Sequence, residues 1–400
     1  MLEEVLILFP TIVILYALCS KWLKSTPLTM PMIFLAFGWL STQFLGVEKI
    51  GDRHILYYGA EAALALLLFA DASMAKSRIV EKTGLNLFRM LAVGLPLMIL
   101  FGGLTGLALL QGWPFWELFL LATILAPTDA VLGQAVISNK SVSETDRTMV
   151  LVEGGFNDGL ALPFLVFFGG LAAGTISQDR VGEDFLIYLS QQIGVGAAVG
   201  AVLGFVIGFA LRATSNADHM DQHYVGIATF ATVLVTFVLS QELGGNPFIA
   251  VFVAGFAFAE GARERAHHAA EFVENDGHVF AIASFFFIGA VMIPDMLKHV
   301  QWIHLVLVLL SLFILRPLAI WISLIGTTVE PRSRLLVGWF GPRGLATALF
   351  AIFVLNSFED LQYREEITAI ATLAVMVSAV LHGVSAWFAP RPFYAEKGSR

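Results

Sequence analysis

Thirteen stretches of this chain are apolar over a length comparable to a bilayer crossing, and no other feature restricts the fold as strongly. A hydrocarbon core about 30 Å thick takes about 20 mostly apolar residues per helical crossing. The runs cover 5–20, 28–47, 55–73, 88–110, 115–137, 148–175, 185–211, 224–243, 246–260, 278–297, 303–327, 335–357 and 367–390. The ninth is the shortest. Composition agrees, with 58% hydrophobic and 14% charged residues, where soluble domains run at about 45–50% and 25%. A soluble globular chain and a disordered one are both excluded. The expectation is an all-α polytopic membrane protein in which residues 1–400 form a single membrane domain. A net charge of -8 speaks against a nucleic-acid partner. The lone cysteine, Cys19, rules out internal disulfides and Cys-based zinc sites; its place in an apolar run makes it a packing residue.

Loop charges test the count, because cytoplasmic loops carry an excess of Lys and Arg. With thirteen crossings, one set of alternate loops collects 16 basic residues, among them Lys76, Arg78, Lys82, Arg147, Arg263 and Arg265. The other set collects 5: Lys49, Arg53, Arg180, Lys298 and Arg364. A miscounted helix would scramble this separation. It sets the N-terminus outside and the C-terminus in the cytoplasm of a prokaryotic-type cell membrane. Met-Leu-Glu-Glu lacks the basic start of a cleaved signal, so the first run reads as a retained helix. The loops are short, the longest hydrophilic stretch being 260–277, and no soluble domain is expected. Gly196, Gly200, Gly204 and Gly208 line one face of the seventh helix, where small residues allow close helix contact.

Ionisable groups inside membrane helices are costly and mark ion or proton pathways. Six stand out: Asp71, Asp129, Glu153, Asp158, Arg316 and Arg343. Four acids cannot all pair with two bases, which favours a cation or proton site over an anion site. The fifth run is interrupted at Ala126-Pro127-Thr128-Asp129-Ala130, where proline removes a backbone donor and clashes with the preceding turn. The twelfth is interrupted at Gly341-Pro342-Arg343-Gly344. These breaks are seven crossings apart and so run in opposite directions, the pattern that marks a transporter's binding site in two inverted halves.

The sixth run reads Leu151-Val152-Glu153-Gly154-Gly155-Phe156-Asn157-Asp158-Gly159. Asp158 lies roughly 15 Å from the helix start, near the bilayer centre. Glu153 and Asn157, four apart, share a face, whereas Asp158 points about 140° away from Glu153. The two acids therefore have different partners. Gly154 leaves open space beside Asp158. A carboxylate buried without a cation holds its proton more tightly, and a cation arriving with Thr128 and backbone oxygens stabilises the charged form instead. Binding a proton or a cation, and never both, is the chemistry an antiporter requires.

In order and spacing, these residues resemble the signature of monovalent cation:proton antiporters of the NhaP and eukaryotic Na+/H+ exchanger type. Thr128-Asp129 in a broken fifth helix, Glu153, Asn157 and Asp158 in the sixth, Leu315-Arg316-Pro317, and Gly341 to Gly344 carry the resemblance across most of the chain. It implies a secondary active transporter for Na+ (or Li+) and H+ serving sodium transport and pH homeostasis, without a cofactor. Asp158 is then the shared cation and proton ligand, with Thr128 and Asp129 completing the site. Glu153 pairs with Arg316 as a structural ion bridge, and Arg343 compensates the helix ends and carboxylates where helices five and twelve cross. Asn157 stands where electrogenic relatives carry a second Asp, which implies electroneutral one-for-one exchange. Asp71 resembles an acidic ion-site position in the third helix. The resemblance also implies a homodimer in which a core bundle (88–175 and 303–390) moves against a dimerisation scaffold (1–75 and 185–297).

Two departures bear on selectivity: Gly154 replaces a hydroxyl residue common in relatives, and the proline is at Pro127 where relatives place it after the Thr-Asp pair. Exchange of K+ for H+ is the alternative within this class. Outside it stand a cation channel and an intramembrane aspartyl enzyme using Asp129 and Asp158. No zinc, serine-hydrolase or nucleotide motif is present. His219, His223, His267, His268 and Glu271 fall in expected cytoplasmic loops and read first as solvated, as do Glu264, Glu274 and Asp276. Histidine titrates near neutrality, and the resemblance implies loops of this region that join in pH control, so a pH-sensing role stays open.

Overall fold

The computed structural model describes residues 2–23, 26–45, 53–75, 77–129, 142–176, 181–221 and 223–388. Among these, the α-helices are α1 (Leu2–Leu23), α2 (Met30–Leu45), α3 (Arg53–Met74), α4 (Ser77–Arg89), α5 (Leu95–Leu109) and α6 (Phe115–Ile124). They continue with α7 (Glu144–Ala172), α8 (Val181–Asn216), α9 (His223–Glu242), α10 (Pro247–Ala262), α11 (Ala266–Phe287) and α12 (Ile293–His299). The last five are α13 (Trp302–Leu310), α14 (Arg316–Ser323), α15 (Pro331–Trp339), α16 (Leu345–Ser357) and α17 (Arg364–Phe388).

Three pairs form continuous rods, α4 with α5, α11 with α12 and α13 with α14, each joined by a single π-helical turn: Met90–Gly94, Ile288–Met292 and Ser311–Leu315. Each turn has the same cause. Pro96, Pro294 and Pro317 are the second residues of the segments that follow, and a proline inside a helix loses its N–H and clashes with the carbonyl four residues back. Widening that turn by one residue removes the clash without ending the helix. With each rod counted once and α15 and α16 taken as one broken crossing, the described residues give thirteen crossings. The fold is an all-α membrane bundle.

The interior is held by close helix contact. The four glycines of α8 face the α10 backbone in register, Gly196 at Asn246, Gly200 at Ala250, Gly204 at Ala254 and Gly208 at Phe258. Each α10 partner is four residues on from the last, so two i,i+4 rows mesh. Helix α3 packs on α10 and α11, and α6 packs on α5 and α7. Pro247 and the Asn246 cap, whose side chain accepts the Ile249 N–H at 3.0 Å, start α10. The short ninth run is thus a genuine helix.

Several boundaries differ from the sequence expectation. The stretch 260–277 is mostly not a loop: a 3-10 turn at Arg263–Arg265 leads into α11 at Ala266, so His267, His268, Glu271, Glu274 and Asp276 lie on helix. Their polarity hides the helix from a hydropathy scan, while alternating buried positions such as Ala269, Ala270 and Val273 anchor it. His223 likewise opens α9 and is not in a loop. For the same reason α4 starts well before the apolar run at 88. Cys19, expected to pack, is exposed on α1. The second half of the fifth run, from Ala130, lies outside the described residues.

Candidate functional site

Helix α7 carries the acids. It is capped by Ser143, whose hydroxyl accepts the Asp146 N–H at 3.0 Å, and has Glu144 and Asp146 in its first turn, which suits the positive end of the helix dipole. Further along the helix, Glu153, Asn157 and Asp158 are each 2% exposed. Glu153 meets Arg316 in a two-pronged ion pair, NH1 to Oε1 at 3.2 Å and NH2 to Oε2 at 3.0 Å. Arg316 also donates to the Val337 carbonyl at 3.4 Å. A side chain at Gly341 would occupy the space of this guanidinium, so glycine there is a condition of the pair.

Asn157 donates from Nδ2 to Glu153 Oε1 and to the Ala126 carbonyl, both at 3.3 Å. It ties the ion pair to the break after α6. Asp158 faces elsewhere: its Oδ1 accepts the Thr128 N–H at 3.1 Å, its one hydrogen bond among the described residues. Beside it, Thr128 Oγ1 and Asn157 Oδ1 are buried oxygens without a hydrogen-bond partner. Gly154 faces the Thr128 hydroxyl, to which an added Cβ would come within 3.3 Å; the space it leaves borders Thr128.

The two breaks cross and compensate each other. The Asp129 N–H donates to the Pro342 carbonyl at 2.8 Å, and the Asp129 carboxylate accepts the Leu345 N–H at 2.7 Å, at the start of α16. In the other direction, Arg343 donates to the carbonyls of Ala126, Pro127 and Gly341 at 3.1–3.2 Å, next to the end of α6. A negative group thus meets a helix N-terminus and a positive group a C-terminal end, as helix dipoles require. A side chain at Gly344 would fall on the Asp129 carboxylate. Arg343 is fully buried, and its guanidinium donates to those carbonyls and to Met98 Sδ, at 3.5 Å.

Seven of the eight residues singled out by sequence, Thr128, Asp129, Glu153, Asn157, Asp158, Arg316 and Arg343, form this one network or its immediate edge. Asp71, on α3, lies apart from the hydrogen bonds, half-buried and within electrostatic reach of Glu274 and Asp129. Sequence reasoning missed Ser378 and His382 on α17. Ser378 Oγ accepts the Arg343 N–H at 2.7 Å, and the His382 ring lies 2.9 Å from the Trp339 carbonyl and 3.0 Å from Ser378 Oγ. The signal was present, a histidine within an apolar run. Among the described residues, no group of three or more His, Cys, Asp or Glu is arranged to hold a metal.

Comparison with known proteins gives the same picture. The transmembrane sodium/hydrogen exchanger family matches residues 7–389. The K(+)/H(+) antiporter NhaP2 of Shewanella sp. (strain MR-4) is 24% identical over 366 residues, 90% of this chain and 62% of the relative. The probable Na(+)/H(+) antiporter C3A11.09 of Schizosaccharomyces pombe is 26% identical over 340 residues, covering 80% of this chain and 43% of the relative. The chain therefore spans about 62% of the length of the NhaP2 relatives it matches. A structure of the sodium proton antiporter MjNhaP1 from Methanocaldococcus jannaschii at pH 8 superposes with a TM-score of 0.77 at 20% identity, covering 96% of this chain and 99% of the other. A second MjNhaP1 structure gives 0.76 at 18% identity, with all of both chains covered.

Proposed function

The chain belongs to the sodium/hydrogen exchanger family, and on that premise we propose that it exchanges Na+ or Li+ for H+ across a cell membrane by competition at Asp158. The observation that carries this reading is a fully buried carboxylate with one backbone hydrogen bond and unpartnered oxygens beside it. Oxygen donors suit hard cations, and the unpartnered Thr128 Oγ1 and Asn157 Oδ1 complete the ligand set. Asp129 and Arg343 hold the broken helix ends that frame the site. Glu153 and Arg316 brace it, and Asp71 lies on its approach. With Asn157 as the neighbour in place of a second acid, one cation replaces one proton and no net charge moves.

Alternating access follows from a core of 88–175 and 303–390 moving against a scaffold of 1–75 and 185–297, within a homodimer. The 16-to-5 distribution of basic residues between loop sets supports an external N-terminus and a cytoplasmic C-terminus. K+ in place of Na+ is the second reading, favoured by the relatives described as K(+)/H(+) antiporters. In everted membrane vesicles, Na+ is expected to collapse an imposed pH gradient, with K+ run as the comparison. An imposed membrane potential is expected to leave the exchange rate unchanged. A rate that follows the potential would overturn the one-for-one stoichiometry, and a gradient untouched by any monovalent cation would overturn the function.

A further inference from the structure

A cavity of about 170 Å³, with room for several waters, opens along the seam between α3, α8 and the α9–α10 turn on one side and α7 and α16 on the other. Among the described residues, its polar side chains are Tyr57, Glu61, Gln192 and Gln241, with no Lys or Arg in the lining. Glu61 is half-buried. Among the described residues its partner is the Tyr57 hydroxyl, which donates to Oε1 at 3.2 Å. Gln192 anchors its amide nitrogen on the Gly244 carbonyl at 2.9 Å.

The position of this cavity gives the carboxylate a use. Leu162 and Leu349 line it. Leu162 is four residues beyond Asp158 on α7, and Leu349 is four beyond Leu345, whose N–H holds Asp129. On both helices that frame the candidate site, the cavity wall is therefore one turn, about 6 Å, from it. A carboxylate in a low-dielectric cleft, with no cationic partner among the described residues, raises the local concentration of mobile cations. Glu61 sits three turns before Asp71 on α3, toward the loop set poor in Lys and Arg.

We propose that Glu61, assisted by the Tyr57 hydroxyl, is an outer binding station for a partly hydrated monovalent cation, exchanged with Asp158 when the apolar wall at Leu162 and Leu349 parts. This rests on the reading of Asp158 as the exchange site. The test uses Na+ offered from each face in turn, to right-side-out and everted vesicles. Glu61→Gln raises the KM for Na+ on the cavity face by roughly three- to tenfold, and the rise is confined to that face. Glu61→Asp, which keeps the charge, stays closer to the parent. An unchanged KM, or an equal rise on both faces, overturns the station. Should Glu61→Gln not accumulate, Tyr57→Phe carries the test: a smaller one-sided rise supports the station and no change overturns it.

Radioactive Na+ binding to purified protein separates this inference from the one beneath it. Asp158→Asn retains weak Na+ binding that the Asp158→Asn, Glu61→Gln double variant loses. If Asp158→Asn exchanges ions normally, the exchange-site reading fails. If it is inactive and its residual Na+ binding is the same with and without Glu61, the outer station alone fails.

Discussion

The Glu153 end and the Asp158 end of one short stretch of α7 are equally buried and differ in their partners. Glu153 is held on both oxygens by Arg316, itself 1% exposed. Asp158 has, among the described residues, a single backbone N–H. Removing a carboxylate from water is expensive wherever it happens, but at Glu153 the compensation is a fixed side chain, whereas at Asp158 the proposed function leaves it to an arriving ion or proton. The helical period makes this separation: five residues rotate the second acid about 140° from the first, out of reach of the arginine and toward the break. In the proposed mechanism the buried acid already paired braces the bundle, and the one left open does the exchange.

The sharpest way to break the contrast is to neutralise each acid in turn. Asp158→Asn keeps an acceptor for the Thr128 N–H, so the protein is expected to keep its thermal stability in detergent while exchange falls to the level of protein-free liposomes. Undiminished exchange in this variant would mean that Asp158 is not the ion ligand. Arg316→Ala works on the other end. Leaving Glu153 buried without its partner costs about 3–5 kcal/mol, seen as a lowered unfolding temperature. The Arg316→Ala, Glu153→Ala double variant should recover part of that loss. A fully stable Arg316→Ala protein would remove the distinction between brace and site.

Thr128→Val is the smaller test. It deletes the unpartnered Oγ1 but spares the backbone N–H to Asp158, and loss of one neutral oxygen contact of about 1 kcal/mol weakens the apparent cation affinity roughly fivefold. An unaltered affinity would exclude this hydroxyl from the ligand set.

Much of this arrangement is legible in the chain itself. Apolar length gives the thirteen crossings, proline with a charge beside it gives both breaks, and the 3.6-residue period separates Glu153 from Asp158. Hydropathy failed where helices are polar at their ends, at α4 and at the start of α11, because the residues that fix them there are small buried ones such as Ala269 and Ala270. The π turns before Pro96, Pro294 and Pro317 were also unseen, since a proline in a sequence reports the clash and not how the helix absorbs it. Ser378 and His382 were missed for a different reason: they act on the backbone of α15 and the following break, and that contact depends on tertiary packing. Arg343 was expected to serve helix ends and carboxylates together; its guanidinium hydrogen bonds to oxygen go to carbonyls, and Glu153 and Asp158 lie within its electrostatic reach.

The central claim, that one carboxylate alternates between a cation and a proton, is tested most directly by titrating Na+ against purified protein in proteoliposomes at several pH values. Displacement of one proton per cation makes the apparent KM for Na+ rise as pH falls, by up to roughly tenfold per pH unit, while the maximal rate at saturating Na+ changes little. Na+ flux with a KM independent of pH, or flux without opposite proton movement, would contradict it.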